Sequence, residues 1–198
     1  MSDDLYERQK RYYRRRASEY DATAWEAGDA QEVNELLEAI AALPPARTLD
    51  VACGTGFLSR RLRGDLTLLD ASEEMLAIAA ARVPDARLVH ADALPLPFAD
   101  NSFDRIFSGQ FYDHLRPPER ASFIAEARRV APELLLVEQT RGPEHGEGGE
   151  ERLLENGERH EIYTTYFSPA SLLAELGGGE LLLASESFLF ARVQRPAG

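Results

Sequence analysis

Five short apolar segments, each followed by a helical stretch, constrain this chain more than any other feature. They are Thr48–Val51, Leu66–Leu69, Arg87–His90, Phe103–Ser108 and Leu134–Val137. Strands buried on both faces need apolar residues at successive positions, so they read as short continuous runs. Between them, Leu58 and Leu62 mark one helix. Ser72 caps a second that carries Met75, Leu76, Ile78 and Ala79. Pro117 and Pro118 open a third, running to about Val130. Strands alternating with helices predict a parallel sheet covered on both faces, and right-handed crossovers make it a Rossmann-like, doubly wound α/β fold. Two further strands, Leu181–Ser185 and Phe188–Val193, close the chain as an antiparallel hairpin. The helix before them has Ser168 as cap and Pro169 at its first position.

The flanks carry other patterns. Leu5–Tyr20 predicts a helix, with Tyr6, Tyr13, Ala17 and Tyr20 recurring near whole helical turns and basic residues from Lys10 to Arg16 between them. A second helix starts at Asp29, whose side chain is placed to cap backbone N–H groups, with Glu32 three residues on. Residues 1–46 are thus expected as an N-terminal helical cap on a core of residues 47–198, all in one domain. Residues 141–161 are rich in Gly and Glu and are expected as a mobile acidic loop.

Charge and composition exclude several classes. The chain has 198 residues and a net charge of −12, which disfavours phosphate backbones as partners. The longest stretch without Asp, Glu, Lys, Arg or His, Ile162–Ala174, falls short of the about twenty apolar residues of a membrane span. The N-terminus has no apolar core of a signal peptide. Cys53 is the single cysteine, so an intrachain disulfide framework and a cysteine-built zinc site are excluded. The expectation is a cytoplasmic protein that binds neither nucleic acid nor membrane. His145 and His160, with Glu147 and Glu161, lack the spacing of a metal site, and no metal is expected.

Ligands of doubly wound sheets bind at the carboxyl ends of the strands. Gly54, Asp70, Asp92 and the residues after Ser108 all lie at such ends. Gly54 and Gly56 permit a tight turn and close approach to a ligand. Asp70, twenty residues after Asp50, is placed to accept hydrogen bonds from both ribose hydroxyls. An adenosine-containing cofactor suits both features. Ser59 stands where the dinucleotide fingerprint has its third glycine, which weakens a nicotinamide reading, and no Gly-Lys-Ser/Thr follows to make a P-loop.

Four ordered blocks carry a resemblance. Leu49-Asp50-Val51-Ala52-Cys53-Gly54-Thr55-Gly56, Leu68–Leu76, Ala91–Phe98 and Asn101–Asp104 resemble the successive motifs of the class I S-adenosylmethionine-dependent methyltransferases, of the small-molecule type found in ubiquinone and menaquinone biosynthesis. The resemblance spans residues 46–138 and loosely both flanks. It implies a seven-stranded sheet, S-adenosyl-L-methionine as cofactor and methyl transfer to a small-molecule acceptor by direct in-line displacement. It also implies roles. Asp50 would orient the glycine loop and approach the methionine amino group. Ala52, Cys53, Gly54 and Gly56 would line the cofactor, and Asp70, with Ala71 and Met75 beside it, would hold the ribose. Asp92 would accept from the adenine amino group, with Ala93 packing on the ring. Ser108 would contact the methionine end, and Tyr13 and Tyr20 would fold over the cofactor. Ala52 departs from the family's usual glycine, and its methyl group is expected to narrow the loop a little.

Two further readings stay open. A non-enzymatic S-adenosylmethionine-binding or interaction module would share the fold, and a nicotinamide-dependent oxidoreductase is the third possibility. Cys53 has no adjacent histidine to activate it as a nucleophile. His114, after the fourth strand, is either a general base for the acceptor or a histidine that packs the next helix.

Overall fold

The computed structural model describes residues 3–23, 29–140, 148–154 and 156–195. Its centre is a seven-stranded sheet. The strands are β1 Ala46–Val51, β2 Gly64–Asp70, β3 Arg87–His90, β4 Arg105–Gly109, β5 Glu133–Gln139, β8 Glu180–Ala184 and β9 Phe188–Gln194. Their order is β3-β2-β1-β4-β5-β9-β8. The first five are parallel, while β9 runs antiparallel to β5 and β8 antiparallel to β9. The doubly wound sheet and closing hairpin expected from the sequence are both present.

Side chains alternate across a strand, so each continuous apolar run divides between two faces. Leu134 and Leu136 pack with Leu49, Val51, Ile106 and Phe123. Leu135 and Val137 pack on the opposite face with Leu36, Ile40, Phe107 and Phe190. The helices follow their sequence signals. α3, Ala30–Ala41, is capped by Asp29, which accepts from the N–H groups of Gln31 and Glu32 at 2.8 and 2.9 Å. α4, Glu73–Arg82, starts at Ser72, whose Oγ accepts from Met75 N at 3.1 Å. α5 is Pro117–Val130 and α6 is Pro169–Glu175, the latter with a full capping box at Ser168.

Three expectations need correction. The N-terminal helix α1 covers Asp3–Arg16 and is followed by a separate turn, α2, Tyr20–Thr23. The helix expected around Leu58–Leu62 is one 3-10 turn, Ser59–Arg61, because the segment has only a few residues before β2 begins at Gly64. The acidic stretch is not a loop throughout: β6, Gly148–Leu153, pairs antiparallel with β7, Arg159–Thr164. Its apolar positions are too few to signal a strand; among the described residues, Ile162 of β7 and Leu154 pack on Tyr12 of α1. Residues 141–147 lie outside the described residues. Among the described residues, no helix is long and apolar enough to cross a membrane.

Candidate active site

One cleft opens at the carboxyl ends of β1, β2 and β4, roofed by α1 and α2. It holds about 740 Å³ of free space, its open mouth included, within the range of small-molecule sites. Its floor is Ala52, Gly54, Asp70, Ala71, Met75 and Ala93; Tyr6, Lys10, Tyr13 and Tyr20 come from above, and Gln110 and His114 from the far end. A smaller recess continues beneath the glycine loop, with Asp50, Cys53, Thr55 and Phe107 in its walls and Tyr20, Ala52, Gly54 and Gly109 shared with the cleft.

The Asp70 carboxylate is held on both oxygens. Oδ2 accepts from Gly54 N at 2.8 Å and Oδ1 from Ser72 N at 2.9 Å, which fixes its direction and leaves further acceptor capacity. Burial raises its pKa, and the Ser72 and Gly54 N–H groups work against that rise. Gly54 has φ +54°, and a Cβ there would meet no atom within 4 Å. The glycine is needed for backbone conformation and leaves open space beside Asp70.

Ala52 also lies in the left-handed region, at φ 56°. The consequence of losing the family's glycine is therefore backbone strain, of about 1 kcal/mol, more than the narrowing expected from a methyl group. Asp50 is buried and accepts from Ser59 Oγ at 2.5 Å. Ser59, standing where a nicotinamide fingerprint has glycine, thus serves the loop as a hydrogen-bond donor. Burial pushes Asp50 up to about 7, with the Ser59 hydroxyl opposing and the Asp70 charge adding to the rise. Burial likewise raises the Cys53 thiol well above its ordinary value, which leaves it a poor nucleophile.

Three other sequence-derived positions stand outside the cleft. Gly56 packs against α4, where a Cβ would come within 3.3 Å of Ala79 Cβ. The Ser108 hydroxyl does not line the cleft and donates to Val51 O of the adjacent β1 at 2.8 Å; Gly109 lines the cleft instead. Asp92 sits exposed at the rim and accepts from Lys10 Nζ at 2.9 Å. Lys10 also pairs with Glu7, and although burial opposes it, the two carboxylates hold its pKa above the ordinary value.

α1 and α2 are tied across the cleft at several points. Gln9, buried on α1, donates to His114 O at 3.1 Å and accepts from Tyr163 N at 2.9 Å. Asp21 accepts from Thr55 Oγ1 and from Arg82, both at 2.6 Å. His114 lies in a short turn after β4, nearly buried. Its Nδ1 stands 2.9 Å from Tyr163 O, a carbonyl that only accepts, so Nδ1 carries the proton. Nε2 is then the bare nitrogen, and Tyr13 donates its hydroxyl to it at 2.6 Å. Burial lowers the His114 pKa and keeps the ring neutral. Burial also raises the Tyr13 and Tyr20 phenols, so both remain protonated.

The structure therefore brings Tyr13, Tyr20, Ala52, Gly54, Asp70, Ala71, Met75, Ala93 and His114 to one cleft, and Asp50 and Cys53 to the recess beside it. Sequence reasoning missed Gln9, Lys10 and Gln110. Gln110 has φ 54°, and its buried amide nitrogen has no hydrogen-bond partner among the described residues. A signal was present, since Gln110 follows the fourth strand where the site was expected. His145 and Glu147 lie outside the described residues, and among those described no group of three or more His, Cys, Asp or Glu side chains is arranged to hold a metal ion.

Comparison with known proteins agrees with this geometry. Residues 48–133 match a family described as a methyltransferase domain. Demethylmenaquinone methyltransferase of Renibacterium salmoninarum is 39% identical over 98 residues, which are 48% of this chain and 40% of that protein. The Thermotoga maritima protein of the same name is 35% identical over 107 residues, 52% of this chain and 46% of the relative. The chain spans less than half the length of these curated relatives. A solved DhpI–SAH complex resembles it over the full length of both chains, at 28% identity and a TM-score of 0.84. The fold and the strand-end residues define a Rossmann-like methyltransferase domain. Over residues 48–133 and in its fold, the chain is similar to S-adenosylmethionine-dependent methyltransferases.

Proposed function

We propose that this chain transfers a methyl group from S-adenosyl-L-methionine to a small-molecule acceptor by direct in-line displacement. The observation that carries this reading is the pairing, in one cleft, of the tethered Asp70 carboxylate with the bare Nε2 of His114. The residues present fit an adenosyl ligand. Asp70 has acceptor capacity to spare for the ribose hydroxyls, the floor around Met75 and Ala93 is apolar, and Gly54 leaves room beside the carboxylate. The recess under the glycine loop, with Asp50 in its wall, suits the amino end of the methionine moiety.

When bound, the cofactor supplies a methyl group made electrophilic by its sulfonium. The chain's own part is to orient, enclose and accept a proton. Asp70 and the glycine loop hold one reactant, while Tyr13, Gln110 and His114 line the space left for the other. Alignment of this kind lowers barriers by about 7–11 kcal/mol in well-oriented systems. His114 Nε2 receives the acceptor's proton, directly or through the Tyr13 hydroxyl. Helices α1 and α2, as a cap on the core from residue 47, keep water out. The cleft favours a compact acceptor. Calorimetry with S-adenosylmethionine, S-adenosylhomocysteine and NAD tests the reading. The first two are expected to bind, and binding of NAD alone would overturn it.

A further inference from the structure

Behind His114 lies a pair of buried acids that the scheme above does not use. Asp113 precedes His114 in the same turn, and Glu138 lies near the carboxyl end of β5. Both are buried, Glu138 completely. They are neighbours, since Glu138 Oε2 faces Asp113 N at 3.3 Å. Among the described residues, Asp113 Oδ1 and Glu138 Oε1 have no hydrogen-bond partner. Two adjacent buried carboxylates repel each other and lose hydration together, so such a pair keeps one proton. Glu138 is the deeper of the two. Burial, and then the charge of Asp113, push its pKa well above the ordinary carboxylate value.

Asp113 Oδ1 lies 3.7 Å from His114 Nε2, the nitrogen that becomes charged when the ring gains a proton. The other charged groups around the ring do not stabilise it in the same way. Arg16 of α1 and Arg152 of β6 disfavour an imidazolium. Glu150 of β6 favours one, yet it is engaged by Arg152 at 3.2 Å and by the Tyr166 hydroxyl at 2.6 Å. Tyr13 of α1 meets the ring as a neutral donor.

We propose that Asp113 is the counter-ion of His114, and that Glu138 keeps Asp113 ionised by holding the single proton the two carboxyl groups share. The acceptor's proton moves to His114 Nε2, and the new positive charge is balanced by a carboxylate already in place. Asp113 is thus a positioning residue that acts through His114. This role rests on the methyl-transfer reading, while the charge state of the pair does not.

The test is histidine-ring and side-chain carboxyl NMR titration of the full chain, with and without S-adenosylhomocysteine. His114→Asn assigns the ring signal. In the unaltered chain, Glu138 should keep the carboxyl shift of a protonated acid through neutral pH while Asp113 is ionised. Asp113→Asn should lower the His114 midpoint by about one pH unit, the size expected for losing an opposite charge at this separation. Glu138→Gln, which mimics the protonated acid, should leave the midpoint in place. Ionisation of both carboxyls below pH 5 would overturn the proposal. So would a midpoint that falls in Glu138→Gln or holds in Asp113→Asn. The unaltered chain supplies the carboxyl result even if Asp113→Asn fails to fold. S-adenosylhomocysteine affinity, measured on the same samples, separates the two questions. Its absence would remove the methyltransferase reading and leave the titration to judge the pair.

Discussion

Replacing Asp50 by Asn should make the protein less sensitive to rising pH, and the size of the effect follows from the structure. The folded pKa of Asp50 is about 7, because burial outweighs the Ser59 hydrogen bond. In the unfolded chain it returns to an ordinary aspartate value of about 3.9. A raised folded pKa means that the folded state binds the proton more tightly. The resulting stabilisation is complete below the unfolded pKa and is lost as pH rises through the folded one. With these two values, it falls by about 2.5 kcal/mol between pH 5 and pH 8. Asparagine still accepts from Ser59 Oγ and carries no charge, so the variant should lack this loss. The assay is urea unfolding of both chains at the two pH values, free of ligand. Taking the difference between chains cancels other groups that titrate in this window, such as Glu138 and His114. In thermal melts, the differential should amount to about 5–10 °C for a domain of this size. Equal pH dependence in the two chains, or a steeper loss in the variant, would refute the reasoning.

Three other outcomes are expected. Asp70→Asn should weaken S-adenosylhomocysteine binding by about 100-fold in calorimetry, since charge-assisted hydrogen bonds contribute about 1.5–3 kcal/mol each, and unchanged affinity would exclude the ribose role. Gly64→Ala should destabilise by about 2–4 kcal/mol through overpacking and backbone strain, because a Cβ there would stand 2.3 Å from Ala46 O at φ +111°. Ligand affinity should be unaffected where that variant remains folded, since Gly64 begins β2 at the end remote from the cleft. Gln110→Gly should raise unfolding stability by about 1 kcal/mol, as it relieves a left-handed backbone and removes a buried amide nitrogen without a partner; a loss of stability would contradict that account.

Much of the fold was legible because parallel strands and their helices announce themselves locally. The apolar runs, Ser72, Asp29, Ser168 and the paired prolines each act within a few residues, so their effects survive in sequence order. The strand-end acids were legible for the same reason: topology alone brings carboxyl ends together, and Asp70 needed only its place at the end of β2. The β6–β7 hairpin was not legible, since its signal is a surface of α1 about 150 residues away in sequence, where Gln9 accepts from Tyr163 N. Ser108, Gly56 and Asp92 do not line the cleft, because a carbonyl of β1, the packing on α4 and a lysine of α1 decide where those residues are held.

By itself, then, the sequence determined the doubly wound sheet, its order of elements and the strand ends at which the cleft opens. Tertiary structure alone decided the state of the acid–base groups. Sequence left His114 open between base and packing residue. The fold sets its tautomer with a carbonyl from β7, covers its free nitrogen with a hydroxyl from α1 and places Asp113 beside it. The physical reason is that backbone preference is carried by neighbours along the chain, whereas desolvation and charge depend on what long-range folding places within a few ångströms.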